Sequence, residues 1–163
     1  MTFNSGCSLQ QDIGSRPDAP GQGAAAPPIS GTTLDGDRID SASLRGHPVV
    51  LDFWASWCGP CRLEQPDINA LHAQYAAKGV TFLGIDMRDD DAAAAAYKKE
   101  FSVPYASIPD ASQQIAAAYD VASPPEVIVV DGSSHIVQRF LGTIVGVKRA
   151  LDSVLTAGGR SAA

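Results

Sequence analysis

The amino-acid sequence predicts an α/β domain in which a mixed central β-sheet is flanked by helices. Two nearly continuous apolar runs, residues 48–55 and 80–86, are typical of central strands that are covered on both faces. A segment with helical periodicity follows each run, and two later apolar segments separated by residues 132–134 indicate a hairpin. The element order βαβα followed by ββα is that of a single α/β sandwich.

Length, composition and charge agree with one ordinary globular domain. The chain has 163 residues, of which 45% are hydrophobic and 18% are charged, so it can bury a substantial core. Its formal net charge of -6, without a basic cluster, argues against nucleic acid or an anionic membrane surface as a partner. No run approaches the roughly 20 consecutive apolar residues of a membrane span. We therefore expect a soluble monomer.

The composition of the two ends differs from that of the domain. Residues 1–28 contain almost no bulky apolar side chain, so they bury too little surface to offset the entropy of ordering. We interpret them as a flexible tail or linker, followed by a domain at residues 29–157 and a disordered tail at 158–163. At the start of the domain, an Asp-Gly turn within residues 33–39 predicts a small N-terminal β-hairpin.

The segment after Cys58 has the periodicity of an amphipathic helix that reaches about residue 77. Side chains on one helical face recur at intervals of three and four residues: Cys61, Glu64, Ile68, Leu71 and Tyr75. Pro66 is expected to kink this helix, and Gly79 to end it before the second central strand.

The second half of the domain continues with a helix, two short elements, a hairpin and a final helix. Acidic residues before an alanine run and basic residues after it match the dipole of the second helix. Short apolar segments indicate the elements that follow, and apolar residues at helical spacing indicate the final helix. These elements are expected at residues 89–99, 103–105, 111–119, 126–131 with 135–140, and 144–155.

A pair of cysteines three residues apart carries the chemistry that the sequence predicts. The motif WCGPC at residues 57–61 places Cys58 at the expected N-terminus of the first helix and Cys61 one turn inside it, which allows disulfide geometry. Unpaired backbone N–H groups and the positive end of the helix dipole then favour the thiolate of Cys58. Cys58 is therefore the predicted nucleophile, and Cys61 is predicted to resolve the mixed disulfide.

The alternative interpretation of two such cysteines is half of a zinc site, which needs two further Cys or His ligands at suitable spacing. The remaining candidates are scattered singly along the chain: Cys7, His47, His72 and His135. A metal site is therefore not predicted, and each histidine is interpreted as a surface or hydrogen-bonded residue.

The run VLDFWASWCGPC at residues 50–61 resembles the active-site segment of the thioredoxin superfamily. Four further segments resemble the TlpA/ResA-like branch of extracytoplasmic thiol-disulfide oxidoreductases: Asp35-Gly36, Leu44-Arg45-Gly46, Arg62-Leu63-Glu64-Gln65-Pro66 and Gly84-Ile85-Asp86. The resemblance covers about residues 30–155. It implies a thioredoxin fold with an N-terminal β-hairpin extension, a location in the periplasm or cell envelope, and disulfide exchange with protein thiols or disulfides without a separate cofactor.

The same resemblance implies that a cis-proline, here Pro125, faces the cysteine pair and that the residue before it binds substrate backbone. This chain departs from the family pattern, because Pro124 precedes that proline and Glu126 follows it. Since Pro124 has no backbone N–H to donate to a peptide, we expect weaker or altered substrate docking. We also expect Glu126 to place an acidic group at the groove that disfavours acidic partners. Alternatively, Pro124 only stiffens the loop.

Two acidic residues match positions of the family and are candidates for proton transfer. Asp52 matches the buried aspartate of thioredoxins, and Glu64 matches a glutamate of the ResA-like branch, one helical turn beyond Cys61. A buried carboxylate is expected to have a raised pKa, and a base near Cys61 helps to form the second thiolate. The alternatives are that Asp52 is a hydrogen-bonded structural residue and that Glu64 is a rim charge facing solvent.

Three residues beside the cysteines and one in the tail complete the predicted site. Trp57 is expected to offer exposed apolar surface to the partner, next to Gly59 and Pro60, although it alternatively packs the active-site loop. Cys7 follows a Ser-Gly pair and resembles the modified cysteine of bacterial lipoproteins, which implies a membrane tether. The alternative is a plain unpaired thiol.

These residues predict a thiol-disulfide oxidoreductase. The TlpA/ResA resemblance implies a reductase, for example one that keeps apocytochrome c thiols available for haem attachment, with a membrane-bound or soluble thiol partner that transfers electrons. A disulfide-forming oxidant of the same fold is the first alternative, because residue types do not determine the reduction potential. The alternative from another class is a binding module that holds a partner at the Pro124-Pro125 groove without turnover.

Overall fold

The computed structural model describes residues 20–160 and arranges four α-helices around a five-stranded sheet, with a two-stranded sheet near its start. The helices are Gly59–Tyr75 (α1), Asp91–Glu100 (α2), Gln114–Ala118 (α3) and Val147–Arg160 (α4). The strands are Ser30–Thr32 (β1), Arg38–Asp40 (β2), Val49–Trp54 (β3), Thr81–Met87 (β4), Ser107–Asp110 (β5), Glu126–Val130 (β6) and Ile136–Leu141 (β7). This element order confirms the predicted α/β architecture.

The central sheet is mixed, as the sequence predicts. Its strands lie in the order β5-β4-β3-β6-β7. Strands β3, β4 and β5 are parallel, and β6 runs antiparallel to both β3 and β7. All six residues of β3 are buried, which explains the unbroken apolar run that marks this strand in the sequence. The predicted N-terminal hairpin is also present, because β1 and β2 pair antiparallel.

Apolar clusters cover both faces of this sheet. On one face Phe53 packs against Tyr119, with ring centroids 5.9 Å apart. On the other face Val50 lies in one cluster with Ile68 of α1. Because side chains alternate along a strand, Asp52 points to the same face as Val50, toward α1.

One strand differs from its predicted position. The extended piece expected at residues 103–105 is not a strand, and β5 instead pairs with β4 at residues 107–110. Pro109 hides this strand in the sequence, because proline removes a donor from the ladder and is tolerated only where a strand lies at the edge of a sheet. β5 is such an edge strand.

Residues 20–28 hydrogen-bond to the domain, although their composition predicts a tail. The amide groups of Gly23 and Ala26 donate to the carbonyl oxygens of Ile136 and Ser134, at 2.7 and 2.8 Å. These hydrogen bonds lie on the N-terminal side of the boundary expected at residue 29. These contacts use backbone groups at the edge strand β7, and backbone pairing leaves no signature in side-chain composition.

The other end of the domain also extends beyond its expected boundary. Helix α4 continues through Arg160, past residue 157, although it contains two consecutive glycines there. Glycine weakens a helix by only about 1 kcal/mol per residue, which the preceding turns can offset. Between residues 20 and 160, the helices are all too short or too polar to cross a membrane. The candidate lipidation site Cys7 lies outside the described residues.

Candidate active site

The two cysteines of the motif form a disulfide at the N-terminus of α1. The S–S distance is 2.05 Å and the Cα atoms are 5.3 Å apart. Cys58 occupies the N-cap position in an extended conformation, and its sulfur accepts a hydrogen bond from the Cys61 amide at 3.2 Å. The Cys61 amide and the positive end of the helix dipole are therefore directed at the Cys58 sulfur, which favours its thiolate once the disulfide is reduced.

The cysteines are enclosed, and the residues around them are exposed. Cys58 and Cys61 are each 3% exposed, whereas Trp57 is 52% exposed. Gly59 and Pro60 are exposed as well. These three exposed residues surround the enclosed disulfide, and contact between Trp57 and a partner stays a prediction.

The predicted cis peptide bond is present between Pro124 and Pro125. Both prolines are half-buried and directly precede β6. In the pairing of β3 with β6, Phe53 lies opposite Glu126, so Pro125 lies at the end of β3 that leads to Cys58. The cysteine pair and the two prolines therefore lie at the same end of strands β3 and β6.

Glu126 does not face the groove as a free acid, and this part of the sequence interpretation is wrong. Its side chain is buried and accepts a hydrogen bond from Arg139 Nε at 2.8 Å, and Arg139 Nη2 forms an ion pair with the same Oε1 atom at 2.7 Å. Burial raises the pKa of Glu126, and the positive charge of Arg139 opposes this. The ion pair crosses from β6 to β7, so it could not be predicted from the neighbours of Glu126 in the sequence.

Asp52 is the buried carboxyl that the sequence predicts. It is 1% exposed, and its Oδ2 atom accepts a hydrogen bond from the Tyr105 hydroxyl at 2.7 Å. Burial raises the pKa of Asp52 to about 6, and the hydrogen bond from Tyr105 partly opposes this. The expected raised pKa is therefore confirmed, and it lies within reach of neutral pH.

A chain of buried hydrogen bonds connects Asp52 with the backbone of Cys61. The Tyr105 hydroxyl that donates to Asp52 accepts from Gln65 Nε2 at 2.8 Å. The hydroxyl of Tyr97 lies 3.0 Å from Gln65 Oε1 and 3.2 Å from the Cys61 carbonyl oxygen. The site residues predicted from the sequence do not include Gln65, Tyr97 and Tyr105. A signal existed for Gln65, which follows Cys61 by four residues on the buried side of α1.

Glu64 is half-buried, so it is not a simple rim charge. Burial is the first cause that raises its pKa, and the negative charges of Asp52 and Asp67 add to the effect, which brings the pKa to about 7. Glu64 and Asp52 therefore interact electrostatically, and both carboxyls change protonation near neutral pH. The site holds two acids with different pKa values beside one cysteine pair.

Metal ligands do not gather in the described part of the chain. Between residues 20 and 160, the His, Cys, Asp and Glu side chains form no group of three that could hold an ion.

Comparisons with known proteins give consistent matches. A family model described as Redoxin matches residues 21–155. The thiol-disulfide oxidoreductase ResA of Bacillus anthracis is 31% identical over 120 residues, which are 74% of this chain and 69% of the relative. The thiol:disulfide interchange protein DsbE of Pseudomonas fluorescens is 36% identical over 124 residues, which are 75% of this chain and 67% of the relative.

Solved structures agree with these matches. A secreted disulfide oxidoreductase of Mycobacterium tuberculosis, homologous to DsbE of E. coli, is 27% identical with a TM-score of 0.69 and covers 77% of this chain and 95% of its own. A thiol:disulfide interchange protein of the thioredoxin family from Chlorobium tepidum is 28% identical with a TM-score of 0.74. It covers 85% of this chain and 99% of its own.

Proposed function

The chain belongs to the Redoxin family and is a thiol-disulfide oxidoreductase of the ResA and DsbE type, and we propose that it reduces disulfides of extracytoplasmic proteins. The observation that carries disulfide exchange is the redox pair itself, and the reducing direction is what the TlpA/ResA resemblance implies. Cys58 lies at a helix N-terminus that stabilises its thiolate, and Cys61 lies within bonding distance behind it. The exposed rim of Trp57, Gly59 and Pro60 gives a protein partner access to the pair.

The first step is attack by the reduced protein on a substrate disulfide. The Cys58 thiolate bonds to one substrate sulfur, the substrate S–S bond breaks, and the departing substrate thiolate takes up a proton. The product is a mixed disulfide between Cys58 and the substrate. The helix dipole and the Cys61 amide, which donates to the Cys58 sulfur, favour this step because they stabilise the attacking thiolate.

The second step is resolution by Cys61. Its thiol loses a proton and attacks the Cys58 sulfur, which forms the disulfide found in the structure and releases the second substrate thiolate. The substrate has then gained two electrons, and the protein has lost two. A thiol protein that donates electrons returns the pair to the reduced form, so the cycle uses no cofactor beyond the two cysteines.

Asp52 and Glu64 manage the proton of Cys61 in this proposal. With a pKa of about 6, Asp52 is mostly ionised at neutral pH and can accept a proton, while Glu64, at about 7, exists in both forms. The chain through Tyr105, Gln65 and Tyr97 fixes the orientation of the Asp52 carboxyl relative to α1. Resolution should therefore depend on pH between about 6 and 7.

The cis Pro124-Pro125 segment is the proposed docking site for substrate backbone. Pro124 can offer its carbonyl oxygen to a peptide but no N–H, so docking uses fewer hydrogen bonds than a residue with an amide would allow. Because Glu126 forms an ion pair with Arg139, the charges of the two side chains compensate each other beside this site. We therefore no longer expect discrimination against acidic partners by Glu126.

The cellular setting is also a proposal. The solved relative from Mycobacterium tuberculosis is a secreted protein, which supports a location outside the cytoplasm. Apocytochrome c, which the TlpA/ResA resemblance implies, is a substrate of the proposed kind. A lipid tether through Cys7 and a monomeric state are compatible with this role.

The reduction potential of the Cys58–Cys61 couple tests the direction of the reaction. The protein is equilibrated with glutathione buffers, and the exposed Trp57 reports the redox state by fluorescence. A value near about -270 mV supports a reductase that depends on an electron donor, and a value near about -120 mV supports a disulfide donor instead. A chain that never exchanges with a protein disulfide, yet still binds one after Cys58→Ala and Cys61→Ala, would be a binding module.

A further inference from the structure

A second buried carboxyl lies beside the active-site loop and has no part in the chemistry described above. Asp86 is the sixth residue of β4, lies opposite Trp54 in the sheet and is 1% exposed. Within residues 20–160, its Oδ1 atom has no hydrogen-bond partner, and its carboxyl lies close enough to that of Asp89 for each to shift the pKa of the other. Two carboxyl groups can share a hydrogen bond only when one of them keeps its proton.

Asp89 in turn holds the loop that leads to Cys58. Its Oδ2 atom accepts from the Ser56 amide at 2.5 Å, and its Oδ1 atom accepts from the Ser56 hydroxyl at 2.7 Å. The neighbouring Trp57 indole donates to the Arg88 carbonyl oxygen at 3.1 Å. The loop before Cys58 is therefore fastened to the loop after β4 by three hydrogen bonds.

The proton of the pair resides on Asp86. Burial raises the pKa of Asp89, but donors from Ser56 and the Asp90 amide outweigh this and hold the pKa below its usual value. Burial, reinforced by the charge of Asp89, raises the pKa of Asp86 to about 8. At neutral pH Asp86 is thus the group that keeps its proton, and Asp89 is the carboxylate.

The charged groups around the pair do not compensate for a second negative charge. Asp90 caps α2 and Asp91 begins it, so both add negative charge. The Arg88 guanidinium lies 5.4 Å from the centre of the Trp57 ring, and Arg62 on α1 pairs with Glu100. Within residues 20–160, neither Asp86 nor Asp89 takes part in an ion pair.

We propose that Asp86 is a positioning residue for disulfide exchange: as a protonated acid it donates a hydrogen bond to Asp89, which keeps Ser56 and the Cys58 loop in place. This inference rests on the exchange reaction proposed above at Cys58, whichever its direction. When Asp86 loses its proton, two neighbouring carboxylates repel each other, and in the described part of the chain neither of them is in an ion pair. The contact from Asp89 to Ser56 then weakens, and Cys58 is presented less well to the substrate.

Nuclear magnetic resonance of the oxidised protein tests this directly, because the disulfide removes the titration of both cysteines. The Ser56 amide signal should shift with a midpoint near pH 8 in the wild-type protein and should show no transition there in Asp86→Asn, whose amide stays neutral. Asp91→Asn is the matched control, since it removes a nearby exposed acid outside the pair and should keep the transition. A transition that persists in Asp86→Asn would overturn the proposal.

A kinetic measurement links the contact to the reaction. The quantity to measure is the rate at which the reduced wild-type protein attacks a protein disulfide, divided by the rate for reduced Asp86→Asn. This rate ratio should be near one at about pH 6 and should fall at least about threefold by about pH 9.5. Asp89→Asn removes the charge that adds to the raised pKa of Asp86, so the transition should move below pH 8, which keeps the test valid if Asp86→Asn folds poorly. A rate ratio that does not change with pH contradicts the role of Asp86. Absence of any exchange by the wild-type protein would instead refute the proposed function.

Discussion

Asp52→Asn should raise the free energy of unfolding at neutral pH, because the wild-type protein must keep a carboxylate in a site closed to water. Burial raises the pKa of Asp52 from 3.8 to about 6, and the hydrogen bond from Tyr105 opposes this only in part. One pKa unit corresponds to about 1.36 kcal/mol. The difference of about 2.2 units is therefore worth about 3 kcal/mol.

The direction with pH follows from the raised pKa. Below pH 3.8 Asp52 is protonated in the folded and the unfolded chain, and its neutral form stabilises the fold. Between pH 3.8 and about 6 the unfolded chain releases this proton more readily, so stability is lost across that window and stays lost above it. Because asparagine does not titrate, the advantage of Asp52→Asn should grow by about 3 kcal/mol from the acid to the neutral side of this window.

Urea unfolding of the oxidised proteins at about pH 4 and about pH 7.5 measures this difference of differences, in which titrating groups that do not interact with Asp52 cancel. Asp37→Asn is the matched control, since it makes the same chemical change at an exposed carboxyl. The reasoning is refuted if the unfolding free energies of Asp52→Asn and the wild-type protein change in parallel with pH. It is also refuted if Asp52→Asn is the less stable protein at neutral pH.

The same variant should be slower in the reaction while it is more stable. Asn cannot accept the proton of Cys61, so resolution of the mixed disulfide should slow severalfold, on the order of 10-fold or more, near neutral pH. Single-turnover kinetics measures this step. A variant that is both more stable and equally fast would leave Asp52 as a structural residue only.

Three further substitutions test the neighbours of the redox pair. Tyr105→Phe removes the hydrogen bond that lowers the pKa of Asp52, so the pH profile of resolution should move to higher pH in stopped-flow experiments, and an unchanged profile would remove Tyr105 from the account. Glu64→Gln should slow resolution at about pH 7 and flatten its pH dependence there, whereas an unaltered rate would mean that Glu64 only borders the site. Pro124→Thr supplies an N–H that can donate one additional hydrogen bond to substrate backbone. The kcat/KM for protein disulfides should therefore rise severalfold, and the kcat/KM for small disulfides should stay constant. If the substitution leaves kcat/KM unchanged for protein disulfides as well as for small disulfides, Pro124 only stiffens the loop.

The sequence predicted the parts of the fold in which local pattern and tertiary position agree. The central strand β3 is buried on both faces and therefore reads as a continuous apolar run. Strand β5 lies at the edge, where a short segment with Pro109 pairs only because β4 lies beside it. Residues 20–28 dock through backbone groups, which composition does not reveal.

The active site divides in the same way. Cys58, Cys61 and the cis Pro125 follow from motif and resemblance, and Asp52 is notable as a charge within an apolar run. The partners of Asp52 could not be predicted, because Tyr105 and Gln65 lie far from each other along the chain and meet only in the folded core. Glu126 was predicted as an acidic group at the groove, but it is buried and paired with Arg139 of the next strand.

Trapping the mixed disulfide and measuring its intact mass shows whether Cys58 attacks the substrate and Cys61 resolves the intermediate. Reduced Cys61→Ser and Cys58→Ser proteins, each also carrying Cys7→Ser so that no third thiol competes, are mixed with an oxidised protein substrate such as insulin. We expect Cys61→Ser to accumulate an adduct of one substrate chain at Cys58, and Cys58→Ser to accumulate none. An adduct that accumulates only on Cys58→Ser, or on neither protein while the wild-type chain reduces the substrate, would contradict the account.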